Sequence, residues 1–514
     1  MRHVTLVRPP ALVARHSAQG ALTPPIGYAY LAGSLLEAGH EVTIVDAVGE
    51  APFKSTPLFD NKIMASGLLK DEIVNLIPEH TDFIGVSCMF SQDWPYAKQV
   101  IDSIRACFPD ITILAGGEHI IAMPEFVLET CPAIDYCILG EGEETLVALV
   151  NNLNASLPDE EINGIAYMRD GDFIKTPPRA RIRNIDDIPL PAWHLVPLEN
   201  YLDNGLGYGV NRGRSMPMLA TRGCPYRCTF CSSPFMWTTA WLARKPELVL
   251  DEIQYYIDKY NISNIDFYDL TAIVRKDWIV KFCQLIKERK MNFTWQLPSG
   301  TRSEALDEEV CALIYEAGCR NMSYAPESGS PRILAQIKKK VKLERMLRSM
   351  RYAIKSKINT KMNIIVGFPD ETRKDVLLSI RFIAQAAWVG VNDVLVSVYS
   401  PYPGSELFDN LKKEGKIVEF DNDYFFALTC YIDPTQAISW SKHMSSRELL
   451  VYRLVCFLVF YGIQFTTRPW RLFKLLTNMF KDHEESRLDK VVQDYLRRNY
   501  KSLKVRKKAL PKEL

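Results

Sequence analysis

The chain has 514 residues, 47% of them hydrophobic and 24% charged, which is typical of a packed soluble protein of about three domains. The net charge of +1 gives no reason to expect nucleic acid as a partner. Its twelve cysteines lie in a chain too long for a small disulfide framework, and the N-terminus has no apolar signal region. We therefore expect a reduced, cytoplasmic protein.

Residues 1–155 alternate short apolar runs with helical patterns. The strands predicted there are 3–7, 42–46, 83–87, 111–115 and 135–139. This alternation predicts an α/β domain with a doubly wound parallel sheet. Glycines follow the fourth and fifth strands, at the sheet edge where such folds bind ligands. Tight turns are the other explanation for these glycines.

Residues 156–214 have a weaker pattern and are predicted to link two domains. Two short apolar runs, 163–168 and 173–176, flank Asp170 and Gly171, a pair that favours a hairpin turn. Proline-rich stretches follow and indicate loops.

A second alternating series occupies residues 215–430. Its predicted strands are 218–221, 264–267, 292–296, 321–325, 361–366 and 393–398, with helices between them. Six such units favour a partial (β/α)6 barrel, whose active site would lie at the carboxyl ends of the strands.

Residues 431–514 are predicted to be a mainly helical, basic region. The apolar run 449–465 is interrupted by Arg453, which favours a buried core helix or an interfacial helix over a membrane span. Residues 465–514 contain 14 Lys/Arg and 6 Asp/Glu, which fits either a solvated tail or a membrane contact. The aromatic-rich segment 420–431 is interpreted as core packing or as a lid over an apolar substrate.

Three cysteines, Cys224, Cys228 and Cys231, follow the first predicted barrel strand. Iron–sulfur clusters are held by cysteine thiolates and normally take four of them, so three would leave one iron open. Zinc sites usually pair their cysteines and use four ligands. The spacing therefore favours a cluster over a zinc site or three ordinary thiols.

The C-x3-C-x2-C spacing, with an aromatic residue before the last cysteine, resembles that of the radical S-adenosylmethionine (SAM) superfamily. Segments 324–330, 364–372 and 402–405 resemble further parts of that family's barrel. The resemblance implies a [4Fe-4S] cluster that binds SAM and generates a 5′-deoxyadenosyl radical. It also implies a set of SAM-binding residues: Phe230, Arg302, Glu327, Ser328 and Gly367. A helix-capping role for Glu327 and a solvated Arg302 are the alternatives, and only Asp269 stands where relatives often carry two acids.

The N-terminal region resembles the cobalamin-binding domain that precedes the barrel in one radical SAM class. Asp46 belongs to the matching pattern. The cobalamin-binding residues that the resemblance implies are Pro25, Gly27, Tyr28, Ser91, Gln92, Gly116, Gly117, Glu118, His119, Gly140, Glu141 and Gly142. The D-x-H-x-x-G loop of many cobalamin proteins is absent. His119 is the nearest imidazole, with ordinary packing as its other interpretation, and a purely structural sheet is the alternative to cobalamin binding.

This resemblance, to cobalamin-binding-domain radical SAM enzymes, predicts methylation of an unactivated carbon in an apolar or natural-product substrate. A lipid, terpenoid or tetrapyrrole would suit the apolar C-terminal region, and an external donor such as flavodoxin or ferredoxin would supply electrons. One alternative is the radical chemistry of the anaerobic magnesium-protoporphyrin monomethyl ester cyclase. Another is a non-catalytic cobalamin or metal sensor. No catalytic residue is identified beyond the cofactor ligands.

Overall fold

The computed structural model describes residues 1–16, 22–155, 159–301, 306–481 and 484–494. Of the predicted site residues, Arg302 lies outside these ranges.

The N-terminal region is built on a seven-stranded sheet with the order β10-β9-β8-β7-β6-β1-β3. The five strands from β8 to β3 are parallel, as predicted. The strands of this region are β1 His3–Arg8, β2 Ala11–Ala14, β3 Glu41–Asp46, β4 Ser55–Leu58, β5 Ile63–Ser66, β6 Phe83–Ser87, β7 Thr112–Gly116, β8 Tyr136–Ile138, β9 Ile165–Arg169 and β10 Asp172–Lys175.

Helices connect the parallel strands, which confirms the predicted doubly wound α/β class. They are α1 Ile26–Glu37, α2 Ala47–Glu50, α3 Lys70–Val74, α4 Trp94–Cys107, α5 Glu118–Ala122, α6 Pro124–Thr130 and α7 Gly142–Ala155. The first helix ends just before Gly39, whose φ of +82° suits the left-handed turn that follows a helix.

Two features of this region differ from the sequence expectation. Strands β2, β5 and β4 form a small antiparallel sheet that is not among the predicted strands. The hairpin β9–β10 forms around Asp170 and Gly171, both with positive φ, but it does not stand apart as a linker. Strand β9 pairs antiparallel with β8, so the hairpin extends the first sheet.

The second region contains six parallel strands in the order β11-β14-β15-β16-β17-β18, which confirms the partial barrel. The strands of this part of the chain are β11 Ser215–Met218, β12 Thr221–Arg222, β13 Leu242–Ala243, β14 Asn264–Phe267, β15 Thr294–Thr301, β16 Cys319–Glu327, β17 Asn359–Val366 and β18 Asp393–Val398.

The predicted bounds of the first barrel strand, 218–221, are wrong. Strand β11 pairs with β14 over Ser215–Met218, whereas Thr221 and Arg222 form the short ribbon β12–β13. The cause is the buried carboxylate of Asp269, which accepts hydrogen bonds from the Ala220 nitrogen at 3.3 Å and from Thr221 Oγ1 at 2.5 Å.

The remaining helices belong to the second region and to the C-terminal region. Most of the longer ones cover the outside of the barrel, and the last two form the C-terminal region. In chain order they are α8 Leu198–Leu202, α9 Ser233–Trp237, α10 Pro246–Tyr260, α11 Lys276–Glu288, α12 Glu308–Glu316, α13 Pro331–Gln336, α14 Leu343–Lys355, α15 Arg373–Val389, α16 Glu406–Lys413, α17 Asn422–Ala427, α18 Ser446–Thr467 and α19 Trp470–Lys481.

Aromatic residues of α17 pack against the N-terminal region. The Phe425 ring lies 5.5 Å from His119, and the Phe426 ring lies 4.9 Å from Phe59. Phe425 and Phe426 are buried in the same hydrophobic cluster as residues of β1 and β6. This favours core packing over a substrate lid.

The segment after α19 closes the amino-terminal end of the barrel. The carbonyl of Glu485 accepts hydrogen bonds from Arg212, Asn321 and Asn359. The Arg487 nitrogen donates to the carboxylate of Asp393, the first residue of β18, at 2.7 Å. The opposite, carboxyl-terminal end of the barrel faces the N-terminal region.

Candidate functional site

The cysteine loop, residues 223–231, lies between barrel elements that fix it from several sides. Gly223 has a φ of +84°, and a Cβ there would lie 2.2 Å from the carbonyl oxygen of Ala240, so only glycine fits. The backbone of Thr229 donates to the Ile337 carbonyl at 3.1 Å and accepts from Leu407 at 2.9 Å. The loop is therefore anchored to the end of α13 and the start of α16.

The three predicted cluster cysteines differ from the others in exposure. All three are half-buried, whereas eight of the remaining nine are fully buried. Thr271 donates to the Cys224 sulfur at 3.4 Å. Burial raises the pKa of Cys231 to about 12, with smaller contributions in the same direction from Glu118, Cys228 and Cys224.

Within the described ranges, no three His, Cys, Asp or Glu side chains converge closely enough for a single metal ion. The preference for a cluster over a zinc site rests on the ligand number: zinc sites usually take four protein ligands, whereas three cysteines can hold a cluster and leave one iron open.

Of the predicted SAM residues, Phe230 belongs to this loop, and Gly367 lies next to the Phe368 that packs on it. The Phe230 ring packs edge-on against Phe368 at 5.8 Å, and Phe368 in turn lies 5.5 Å from Tyr399. Gly367 has a φ of +86°, and a Cβ there would lie 2.7 Å from the Leu449 side chain. Phe230 and Gly367 thus belong to one apolar wall at the carboxyl ends of β17 and β18.

Glu327 and Ser328 have different environments at the end of β16. Glu327 has a φ of +68°, a strained conformation for a residue with a side chain and one that often marks functional sites. Its buried carboxylate pairs with Lys339 at 2.9 Å. It does not cap the following helix, since Ser330 accepts the hydrogen bond from the Ile333 nitrogen.

Ser328 is turned into the protein. Its hydroxyl lies 3.3 Å from that of Ser379 and accepts a hydrogen bond from the Ser330 nitrogen at 3.1 Å. The side chain is fully buried and already has two partners, so only its backbone is free to approach a ligand.

Loops of the N-terminal sheet touch the cysteine loop directly. Ser232, the residue after Cys231, donates a hydrogen bond to the carboxylate of Glu118 at the start of α5. Burial raises the pKa of Glu118, although the hydrogen bond from Ser232 opposes that shift. The end of β7 and the cysteine loop are therefore in contact.

A second contact of this kind is an ion-pair network around Arg222. Its guanidinium pairs with Glu141 at 3.3 Å and with Glu143, both from the loop and helix that follow β8. Glu141 also accepts from Arg181 at 3.4 Å and from the Ile182 nitrogen at 2.8 Å. Because all these side chains are largely buried, the network fixes the cysteine loop to the N-terminal sheet.

The remaining predicted cobalamin residues lie at the carboxyl ends of the N-terminal strands. Tyr28 donates to the Val7 carbonyl at 2.9 Å, and its hydroxyl lies 3.2 Å from the backbone of Ser87. Gly27 and Gly140 have open space where a Cβ would stand, whereas a Cβ at Gly142 would lie 2.8 Å from Leu31. Pro25 is buried at the start of α1, and Gly116 ends β7.

Asp46 has a structural environment at the end of β3. It accepts hydrogen bonds from Tyr201 at 2.6 Å and from Arg8 at 3.3 Å. A fully buried carboxylate with a cation and a hydroxyl as partners is well satisfied. The side chain therefore holds the ends of β1 and β3 together.

His119 is enclosed and has one unsatisfied nitrogen. Its Nδ1 lies 3.0 Å from the Ser91 hydroxyl, while its ring packs 5.1 Å from Trp94. Burial lowers the pKa of His119 to about 3, so the imidazole is neutral. Within the described ranges, His119 Nε2 and Gln92 Oε1 are buried without a hydrogen-bond partner.

These features fit a large cofactor held over the strand ends. Unsatisfied buried polar atoms are costly unless a ligand or water completes them. A Cβ at Gly117 would lie 2.5 Å from the Cys88 carbonyl oxygen, so the packing of the backbone alone already requires glycine at this position. The residues of this edge can thus accommodate cobalamin, although His119 is packed away from open space.

Sequence reasoning missed a group of residues inside the barrel. The Lys361 ammonium lies 5.9 Å from the Tyr208 ring, and the Arg487 guanidinium lies 6.0 Å from the same ring. Burial, together with a smaller contribution from the charge of Arg487, lowers the pKa of Lys361 to about 7. The alternation of polar and apolar residues along β17 could have indicated this group. Lys361 and Asn363 fall on the strand face opposite the buried Met362 and Ile364.

Two family models match the chain: residues 17–150 match the B12 binding domain, and residues 218–383 match the radical SAM superfamily. An uncharacterized methyltransferase of Pyrococcus horikoshii is 28% identical, over 93% of this chain and 95% of that protein. The anaerobic magnesium-protoporphyrin IX monomethyl ester cyclase of Rubrivivax gelatinosus is 26% identical, over 78% and 69%.

The methyltransferase TsrM from Kitasatospora setae, solved with cobalamin and a [4Fe-4S] cluster, has the same fold. Its TM-score is 0.63 at 18% identity, over 82% of this chain and 76% of that one.

The fold and the cysteine loop define an enzyme that combines a parallel N-terminal sheet with a radical SAM barrel. The chain combines a B12 binding domain with a radical SAM domain, in the order that the resemblance predicted. Its cofactors are accordingly a [4Fe-4S] cluster, SAM and cobalamin, which confirms the prediction from the sequence.

Proposed function

We propose that the protein is a cobalamin-dependent methyltransferase that acts on an unactivated carbon of an apolar or natural-product substrate. The observation that carries the proposal is the contact of Glu118 with Ser232, beside Cys231. It brings the edge of the B12-binding domain against the cluster loop. Chemistry that uses two cofactors on one substrate needs both at the same cavity.

The cysteines Cys224, Cys228 and Cys231 are proposed to hold the cluster. When bound, the cluster and SAM supply a 5′-deoxyadenosyl radical, and cobalamin supplies a methyl group. The role of the chain's own residues is to hold the reactants in position. The apolar wall of Phe230 and Phe368 lies beside the loop and limits the access of water, which would otherwise compete for reactive species.

The proposed SAM contacts are Phe230, Arg302, Glu327, Ser328 and Gly367. The strained backbone of Glu327 supports a ligand site at the end of β16, next to the end of β17 where Gly367 lies. For cobalamin, the open positions at Gly27 and Gly140 and the unsatisfied Gln92 support the strand ends as the binding surface.

The substrate is proposed to be a small molecule of the lipid, terpenoid or tetrapyrrole kind, and flavodoxin or ferredoxin the electron donor. We place the enzyme in the cytoplasm, with peripheral membrane contact through its C-terminal region. The similarity to an ester cyclase supports ring closure as a second candidate reaction.

Labelled SAM distinguishes the two reactions. The reconstituted enzyme would be incubated without oxygen with reductant, cobalamin, SAM carrying a deuterated methyl group, and an organic extract of the source cells. Methyl transfer predicts 5′-deoxyadenosine together with deuterium in an extracted product. Formation of 5′-deoxyadenosine with no deuterium in any product would favour cyclisation, and the Cys228→Ala variant should show neither signal.

A further inference from the structure

The outer surface formed by α15, α18 and α19 leaves large apolar side chains uncovered. We define this apolar face by six exposed residues, Trp388, Leu454, Leu458, Trp470, Phe473 and Phe480. Leu458 and Phe473 are 73% and 68% exposed. Soluble proteins rarely expose so many large apolar side chains on adjoining helices unless the surface contacts a partner or a membrane.

The three helices are held together where they meet. The guanidinium of Arg468, between α18 and α19, donates to the Trp388 carbonyl at 2.9 Å. Arg471, in the first turn of α19, donates to the Gly390 carbonyl at 2.8 Å. These bonds place Trp388 and Trp470 near the same corner, so the apolar face is continuous from α15 to α19.

Helix α18 is long enough to cross a membrane, but its inner side is fixed to the barrel. It is the one helix of the described ranges with sufficient length and hydropathy, and 28% of its most apolar window is buried. Its Arg453 donates to the Gln436 carbonyl at 2.7 Å, and its Gln464 donates to the Asn392 carbonyl at 3.0 Å. Leaving the barrel would place the charged guanidinium of Arg453 in hydrocarbon, which argues against a position of α18 across a membrane.

Charge identifies the kind of surface that this face fits. The three helices carry two acidic residues, Asp375 and Glu448, and both are ion-paired, with Arg332 and Arg373 respectively. Apart from the buried Arg453, their described basic side chains are Arg373, Lys374, Arg381, Arg447, Arg471 and Lys474. Basic residues around exposed aromatic and aliphatic side chains are the pattern of helices that lie in the headgroup region of anionic bilayers.

We propose that the apolar face docks the enzyme on the surface of an anionic lipid bilayer. This inference rests on the peripheral membrane contact proposed above and specifies its surface and lipid, but it does not depend on the cofactor chemistry. It also bears on the substrate, since Leu449 on the inner side of α18 packs against Gly367 of the proposed SAM site. An apolar substrate dissolved in the membrane would then be near the barrel.

Vesicle co-sedimentation of the purified full chain tests the proposal. The probes are vesicles of phosphatidylcholine alone and of phosphatidylcholine with 30% phosphatidylglycerol. The double variant Leu458→Glu/Phe473→Glu places charges on the face, and Val418→Glu, at an 80% exposed position elsewhere, is the matched control. We expect binding to the anionic vesicles, a loss of about tenfold or more in the double variant, and no change in the control.

Two results would overturn the proposal. The first is an absence of binding to anionic vesicles, or equal binding by the wild type and the double variant. The second is a concentration-dependent dimer, seen by light scattering, that the double variant abolishes while vesicle binding is absent. That result would assign the face to a second copy of this chain. Circular dichroism of the double variant checks that it is folded, and 5′-deoxyadenosine formation tests the proposed reaction separately.

Discussion

Replacing Arg222 with Met should loosen the attachment of the cysteine loop to the N-terminal sheet. The Arg222 side chain is 7% exposed, and its partners Glu141 and Glu143 are 5% and 11% exposed. Removing one member of a buried ion pair costs about 3–5 kcal/mol, because the other charge is left uncompensated. Glu141 would keep Arg181 and the Ile182 nitrogen, so we expect a loss near the lower limit, about 3 kcal/mol.

The assay is equilibrium unfolding in guanidinium chloride, followed by tryptophan fluorescence. The matched control is Arg275→Met, which breaks a surface pair with Asp277 whose side chains are 61% and 64% exposed. Exposed pairs contribute about 0–1 kcal/mol, so the control should change little. A loss below about 1 kcal/mol in the Arg222 variant would refute the view that this network holds the two regions together.

Three further changes test other parts of the site. Cys228→Ala should abolish the cluster absorbance and the formation of 5′-deoxyadenosine, and retention of either would contradict the cluster assignment. Gly367→Ala should cost about 1–3 kcal/mol and weaken SAM binding in equilibrium dialysis, because the Cβ meets Leu449. Gly415→Ala, with positive φ but open space, should cost less and leave SAM binding unchanged. Burial lowers the pKa of His119 to about 3, so its contribution to stability is present above pH ~6.5 and is lost as the pH falls. Between pH 7 and pH 5 the wild type should therefore lose about 2 kcal/mol more than His119→Phe, and equal losses would mean that His119 is solvated.

Both sheets could be predicted from the sequence because their strands are short, apolar and separated by helices. The cysteine spacing likewise predicts a cluster at residues 224–231 without any tertiary information. Both signals are local, since they depend on residues a few positions apart.

What could not be predicted depends on contacts between distant residues. The end of the first barrel strand is set by Asp269, about fifty positions away along the chain. The partners of Arg222 are about eighty positions away, and no local sequence pattern predicts an ion pair between residues so far apart in the chain. The turn residues predicted the hairpin, but its pairing with β8 depends on residues that are distant in the chain.

Some predicted ligand residues have structural partners that the sequence did not reveal. Glu141 forms ion pairs with two arginines, and the Ser328 hydroxyl forms a hydrogen bond with that of Ser379. A motif identifies where a residue lies on the fold, but only the packing decides which of its atoms remain free.

The most direct test of the two-cofactor assignment is the metal content of the protein after anaerobic purification and reconstitution with cobalamin. Iron, sulfide and cobalt would be measured per chain, together with the optical spectrum. The account predicts about four irons and one cobalt per chain. Four irons without cobalt would contradict it, since the N-terminal sheet would then be only structural and the case for methyl transfer would fail.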